Sequence, residues 1–158
     1  MFATLTPVPT MTEINQYPFP QDRAYDRENH MWSLTESDSA RVTVGIDVLG
    51  LESLGDLAYV TLCTPGTIVK KGDSLGTLEA AKMTGDIIAP ISGRVVEVNN
   101  AATSDPAVVN NDPYGQGWLV KVEPTNFDDD SAQLVSGDGI GPWVEAELDR
   151  YKKEGWLS

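Results

Sequence analysis

Between Asp56 and Val98 the chain is cut by Gly, Pro and Asp into short segments rich in Val, Ile, Leu and Thr, and this punctuation limits what it can fold into. Runs such as 56–62 and 93–98 are too short for ordinary helices and suit strands joined by tight turns. Glycines 72, 76, 85 and 93 suit those turns, since glycine carries no Cβ penalty there. The pattern predicts an all-β barrel or sandwich. In its middle stands Lys82, within Leu78-Glu79-Ala80-Ala81-Lys82-Met83-Thr84-Gly85-Asp86. Residues 78–83 are good helix formers and on their own suit one helical turn, but Gly76 and Gly85 bracket them too closely for a helix of ordinary length. A lysine at the turn between two strands is held in solvent by a rigid sheet. That arrangement suits a side chain that is to be modified and used as a tether.

The 158 residues make one domain with terminal additions, and an apolar content of 41% predicts a packed core rather than disorder. One cysteine, Cys63, allows no disulfide within the chain and reads as a small buried thiol. One histidine, His30, excludes histidine-rich metal clusters. A formal charge of −13 argues against nucleic acid, whose binders need a basic face. The acidity either attracts partners with basic patches or is a general surface habit. The first thirty residues lack the basic start and apolar run of a secretory signal, and nowhere do roughly 20 consecutive apolar residues suggest a membrane span. The expectation is a cytoplasmic protein that uses neither membrane nor nucleic acid.

Residues 1–24, with Pro7, Pro9, Pro18 and Pro20, read as an extension that lies on the surface or is partly disordered. The alternation in 40–46 predicts a strand, and 47–54 a short helix capped by Asp47 and ended by Gly55. Residues 99–111 read as a polar loop or short helix, and 117–122 as a last strand. Two helices are predicted in the C-terminal segment 127–158, over 127–135 and 142–154. In the second, Ile140, Val144, Leu148 and Tyr151 fall at helical spacing, Asp149 and Lys153 are placed to pair, and Gly155 suits the stop. This segment serves either as a cover for the core or as a docking element.

Ordered motifs along 25–126 carry a resemblance: His30-x-Trp32, Val44-Gly45-Ile46, Leu54-Gly55-Asp56, Val69-x-x-Gly72, Glu79-x-x-Lys82, Pro90-x-Ser92-Gly93 and Asn111-Asp112-Pro113-Tyr114-Gly115-x-Gly117-Trp118. A lone Glu-x-x-Lys means little, but these matches in order are specific. Together they resemble the lipoyl carriers of the glycine cleavage H-protein family. The resemblance implies a barrel-sandwich hybrid fold with peripheral helices at the C-terminus, lipoic acid in amide linkage to Lys82, and no catalysis by the chain itself. It also implies three units: an extension at 1–24, a lipoyl domain at 25–126 and a helical segment at 127–158. By the same resemblance Glu79, Ala81, Met83 and Asp86 would serve ligase recognition or surround the arm, and Asn29, His30 and Met31 would line a cargo cleft. A dithiolane on such an arm works by thiol–disulfide exchange.

Glu79-Ala80-Ala81-Lys82-Met83 also resembles the attachment segment of biotin carriers, but Ala81 stands where they have methionine, and they lack the His-x-Trp and Asp-Pro-Tyr-Gly segments. A departure of another kind is Met31, where glycine-cleaving members have a glutamate that helps hold an amine. A thioether cannot pair with an ammonium. Asp86, which matches a family acid, offsets that loss in part. Lipoate-binding proteins of cytoplasmic sulfur oxidation have similar attachment segments, so Met31 tips the expectation toward sulfur cargo and a heterodisulfide-reductase-like complex. The alternative is an aminomethyl group passed between glycine decarboxylase and aminomethyltransferase. An unmodified interaction module is the remaining class. The other implied partners are a lipoate ligase or lipoyl-attachment enzyme and a dihydrolipoyl dehydrogenase-like protein.

Overall fold

The computed structural model describes residues 11–14, 16–36 and 40–157, so part of the surface extension expected at 1–24, residues 1–10 and 15, lies outside the described residues. Its last part is ordered: β1 (Met11–Ile14) and β2 (Tyr17–Pro20) pair as an antiparallel hairpin, and Phe19 is fully buried. The rest is mainly β. One sheet takes the order β3 (Ala24–Tyr25), β4 (Met31–Thr35), β5 (Val42–Ile46), β11 (Val120–Pro124), β10 (Gly93–Val98) and β7 (Ile68–Val69). The other is β6 (Leu57–Leu62), β8 (Ser74–Ala80) and β9 (Thr84–Ile88). Their inward residues meet in a shared core of Val44, Val95, Val120 and Val122 with Val60, Leu75, Leu78 and Ile87. Each such side chain contributes about 1.5–3 kcal/mol by leaving water.

Strict alternation in β8 would turn Leu75 and Leu78 to opposite faces. Both are buried because the register shifts between Ser74 and Gly76. The bulge thereby leaves Thr77 and Glu79 outward and carries the β8–β9 hairpin to its tip at Ala81 to Met83. Gly76, Gly85 and Gly93, expected in turns, lie within strands instead, while Gly72 does sit in a turn.

α1 (Val48–Leu54) starts and stops where the sequence puts it. The Asp47 carboxylate accepts from the amides of Leu49 and Gly50, and Gly55 closes the helix with its N–H on Leu51 O. Residues 99–111 fold as two short helices, α2 (Asn100–Ser104) and α3 (Ala107–Asn111), split at Pro106. The last strand begins three residues later than expected. Helix α4 (Phe127–Ser131) stops early because Val135 exchanges backbone hydrogen bonds with Tyr25, both of 2.8 Å, at the edge of the large sheet. Cys63, expected buried, is only half-buried.

α5 (Ile140–Glu154) ends at Gly155 in the left-handed region and lays Ile140, Val144, Leu148 and Tyr151 into a second core. Phe19, Tyr25, Trp32, Leu49 and Trp143 complete it. The Asp149–Lys153 pair does not form; Arg150 binds Glu147 instead. Two motifs distant in sequence also meet here, since Trp32 Nε1 donates to Pro113 O at 3.1 Å and Arg23 stacks between the Trp32 and Tyr114 rings.

Gly45 lies under the Trp32 indole, and a Cβ there would come within 2.5 Å of Trp32 Cε2. Gly45→Ala is expected to destabilise the fold by about 1–3 kcal/mol through overpacking, read from urea denaturation midpoints.

Candidate functional site

Lys82 stands exposed at the hairpin tip, and the tip is fastened by main-chain groups. The N–H of Ala81 donates to Asp56 O and that of Lys82 to Leu54 O, each at 2.9 Å, so the turn rests on the end of α1. Lys82 Nζ donates to Glu52 O at 2.9 Å and has no carboxylate partner within ion-pair distance among the described residues. The lysine stem passes Gly55, whose φ of 82° and missing side chain leave it room. An amine so placed is accessible and free of a competing salt bridge.

Two pockets flank α1. The first, of about 510 Å³, has an apolar floor of Met31, Ile46, Leu78 and Ile87. Glu28, Asn29, Asp86 and Arg150 stand at its polar edge, and Met83, Tyr151 and Trp156 line it too. Met83 and Trp156 are among the few large apolar side chains left exposed, at 50% and 40%. Met31 is buried. Asp86 accepts from Ser74 Oγ at 3.1 Å, and neither it nor Glu28 forms an ion pair among the described residues. The structure thus brings Asn29, His30, Met31, Met83 and Asp86 to one pocket. Glu79 points outward on β8 opposite Tyr59, and Ala81 takes part through its backbone. Lys82 lines the second pocket, on the other side of α1, rather than the first.

His30 sits behind the first pocket in the left-handed region, at φ 56°. A non-glycine residue there costs of order 1–3 kcal/mol. Its ring is held between two carboxylates, with Nδ1 2.8 Å from Asp47 Oδ2 and Nε2 2.6 Å from Glu147 Oε1, and Trp143 stacks on it at 5.1 Å. Arg150 donates to both oxygens of Glu147, at 2.8 and 2.9 Å. Burial works against a charged His30, but the Asp47 and Glu147 carboxylates outweigh it and raise its pKa from 6.5 to about 9. Burial likewise works to raise Glu147, while Arg150 and His30 hold it down at about 2. Asp47 is pushed up by complete burial, against the pull of His30 and the amides of Gly50 and Leu49. With a carboxylate facing each ring nitrogen, the geometry calls for the doubly protonated imidazolium.

Sequence reasoning placed His30 in a cleft but missed this network. The signal was present: Glu147 falls on the apolar stripe of α5, between Val144 and Leu148, where an acid needs a buried partner. Nothing local in the sequence marks Arg150, Trp156 or the second pocket.

A mainly β fold presenting a lysine on a hairpin beside a walled pocket defines a carrier of the barrel-sandwich hybrid class. Residues 23–146 match the family model described as glycine cleavage H-protein. The glycine cleavage system H protein of one Thermus thermophilus strain is 39% identical over 128 residues, which are 81% of this chain and 97% of that one. Its counterpart in Coxiella burnetii strain Dugway 5J108-111 is 40% identical over 131 residues, 82% of this chain and 97% of its own. The crystal structure of a glycine cleavage system H protein from Mycobacterium marinum superposes with a TM-score of 0.69 at 38% identity, covering 82% of this chain and 98% of that one. The chain belongs to the glycine cleavage H-protein family, whose members are non-catalytic carriers of lipoate bound covalently to a lysine. No described helix is long and apolar enough to cross a membrane.

Because the folded pKa of His30 lies above its unfolded value, its ion pairs stabilise fully below about pH 6.5, and that contribution is lost as pH rises through about 9. The melting temperature is expected to fall across that window. His30→Ala, which leaves buried carboxylates unpaired, is expected to cost about 3–5 kcal/mol in chemical denaturation and to flatten the alkaline fall.

Proposed function

We propose that Lys82 carries the lipoyl group and that the protein passes an aminomethyl group from glycine decarboxylase to aminomethyltransferase. Its lipoyl amide would be made by a lipoate ligase or lipoyl-attachment enzyme and its dithiol reoxidised by a dihydrolipoyl dehydrogenase. In this reading residues 25–126 form the carrier domain, 1–24 an extension and 127–158 a helical segment that adds the α5 wall to the pocket.

The observation that carries the reading is the first pocket, with its apolar floor and its two carboxylates free of ion pairs, Glu28 and Asp86, beside the hairpin that bears Lys82. The Asp47, His30, Glu147 and Arg150 charges cancel among themselves, so the free acids set the sign of the field at the mouth. A cationic cargo is favoured there although Met31 supplies no charge. Met31 keeps the floor apolar, and Glu28 stands at the rim in a position to take over part of the role of the missing acid. The Lys82 stem fits the tether, being exposed, unpaired by any described carboxylate and based on a fastened turn. The bound group supplies a dithiolane that takes up and releases cargo. The sulfur cargo expected from Met31 has no support among the relatives, each named as a glycine cleavage system H protein.

Lys82→Ala is expected to fold as the parent does, by circular dichroism, and to lose the lipoyl mass entirely when co-expressed with a lipoate ligase; a lipoylated variant would refute the assignment. Offered glycine decarboxylase and glycine, the lipoylated parent is expected to load. Failure to load, with loading by a sulfur donor instead, would restore the sulfur reading. The Glu28→Gln, Asp86→Asn double variant is expected to lose its loaded amine about tenfold faster, since two nearby charges act at about 1 kcal/mol or less each when solvated.

A further inference from the structure

The small sheet of β6, β8 and β9 turns an aromatic ring into solvent. Strict alternation from the buried Leu57 would send Tyr59 into the core. The pairing of β6 with β8 shifts register between Leu57 and Tyr59, so Ala58 and Tyr59 are both exposed and Val60 returns to the core. Tyr59 is 66% exposed and lies directly across from Glu79 on β8, with Thr84 of β9 beyond it. In the next row Thr61 and Thr77 share a 2.6 Å hydrogen bond, and Asp86 stands beside them at the edge. Neither the Tyr59 phenol nor the Glu79 carboxylate has a hydrogen-bond or ion-pair partner for its side chain among the described residues. No lysine or arginine occurs in β6, β8 or β9, so the face carries two carboxylates and no cation of its own.

We propose that this face is where the lipoate-attaching enzyme docks, with the Tyr59 ring as the anchor and a basic surface of the enzyme set against the carboxylates. The inference rests on lipoylation of Lys82. A bare lysine side chain is short, so an enzyme that amidates it must seat against the hairpin itself. Enzymes that meet the finished arm stand off by the length of the acyl chain and need no contact with Tyr59. The face runs up to the tip, since Glu79 ends only three residues before Lys82. A ring fixed on a paired strand has little freedom to lose when a partner covers it. The strand itself is held by the Thr61–Thr77 bond and by Asn110, which accepts from Leu57 N–H at 2.9 Å. A basic partner is drawn to a chain of formal charge −13 and finds two carboxylates to face here. To enter the enzyme, the Lys82 amine gives up its hydrogen bond to Glu52 O.

Initial rates of lipoylation of the full unmodified chain by a lipoate ligase with ATP and lipoate, followed by intact mass, test this. Tyr59→Ala is expected to raise the KM for this protein about tenfold with kcat near the parent value, as loss of an aromatic anchor does. Tyr59→Phe is expected to keep the parent KM. Thr84→Arg, which puts a cation on the face, is expected to raise KM as well. Once fully lipoylated, Tyr59→Ala is expected to be loaded by glycine decarboxylase as the parent is. An unchanged KM in either Tyr59→Ala or Thr84→Arg, or an equal loss in lipoylation and in loading, would overturn the proposal. A parent chain that takes no lipoyl group overturns both this inference and the carrier reading. A lipoylated parent whose variants keep its KM overturns this inference alone.

Discussion

One buried carboxylate organises the molecule. Asp47 accepts hydrogen bonds from Leu49 and Gly50 at the head of α1 and from His30, which in turn reaches Glu147 on α5. Removing such a partner exposes an unpaired charge to a low-dielectric interior. The network also offsets the left-handed backbone of His30, a conformation that would not persist without support. The hairpin tip and the pockets beside it are hung on α1. Its head is set by Asp47, its end receives the hairpin tip, and its two sides form walls of the two pockets.

Much of this was legible in the sequence because it rests on local chemistry. The Asp47 cap, the Gly55 stop, the α5 stripe and the hairpin around Lys82 each follow from a few adjacent residues. What failed depended on distant partners. Helix α4 is cut short by pairing between Tyr25 and Val135, and Phe19 is drawn from an apparent extension into the aromatic core. Glycines 76 and 93 were misread as turn residues because a strand that approaches another backbone closely needs glycine too. That Met83 and Asp86 lie near the lysine was readable, and both line the first pocket. The Glu147–Arg150 contribution was not, since it comes from more than 60 residues away in the sequence.

Met31 shows how far the reading of a single substitution depends on its surroundings. In the sequence it looked like a lost charge and therefore a changed cargo. In the fold it is a buried floor residue, and the charge near it depends on which neighbouring carboxylates are already neutralised. The pairing of Glu147 with both His30 and Arg150 matters as much to the pocket's field as any residue that lines it.

The hairpin tip is held by the amides of Ala81 and Lys82 on carbonyls of Asp56 and Leu54. Main-chain bonds make the anchor a fixed pivot whatever side chains the turn carries. For a tethered reactant, local concentration is set by the length and stiffness of the connection between anchor and target. With the pivot fixed, that connection would be the Lys82 side chain and the acyl group proposed for it, and nothing else. Entry of the arm's end into the pocket beside the hairpin is then an intramolecular step whose rate is independent of protein concentration.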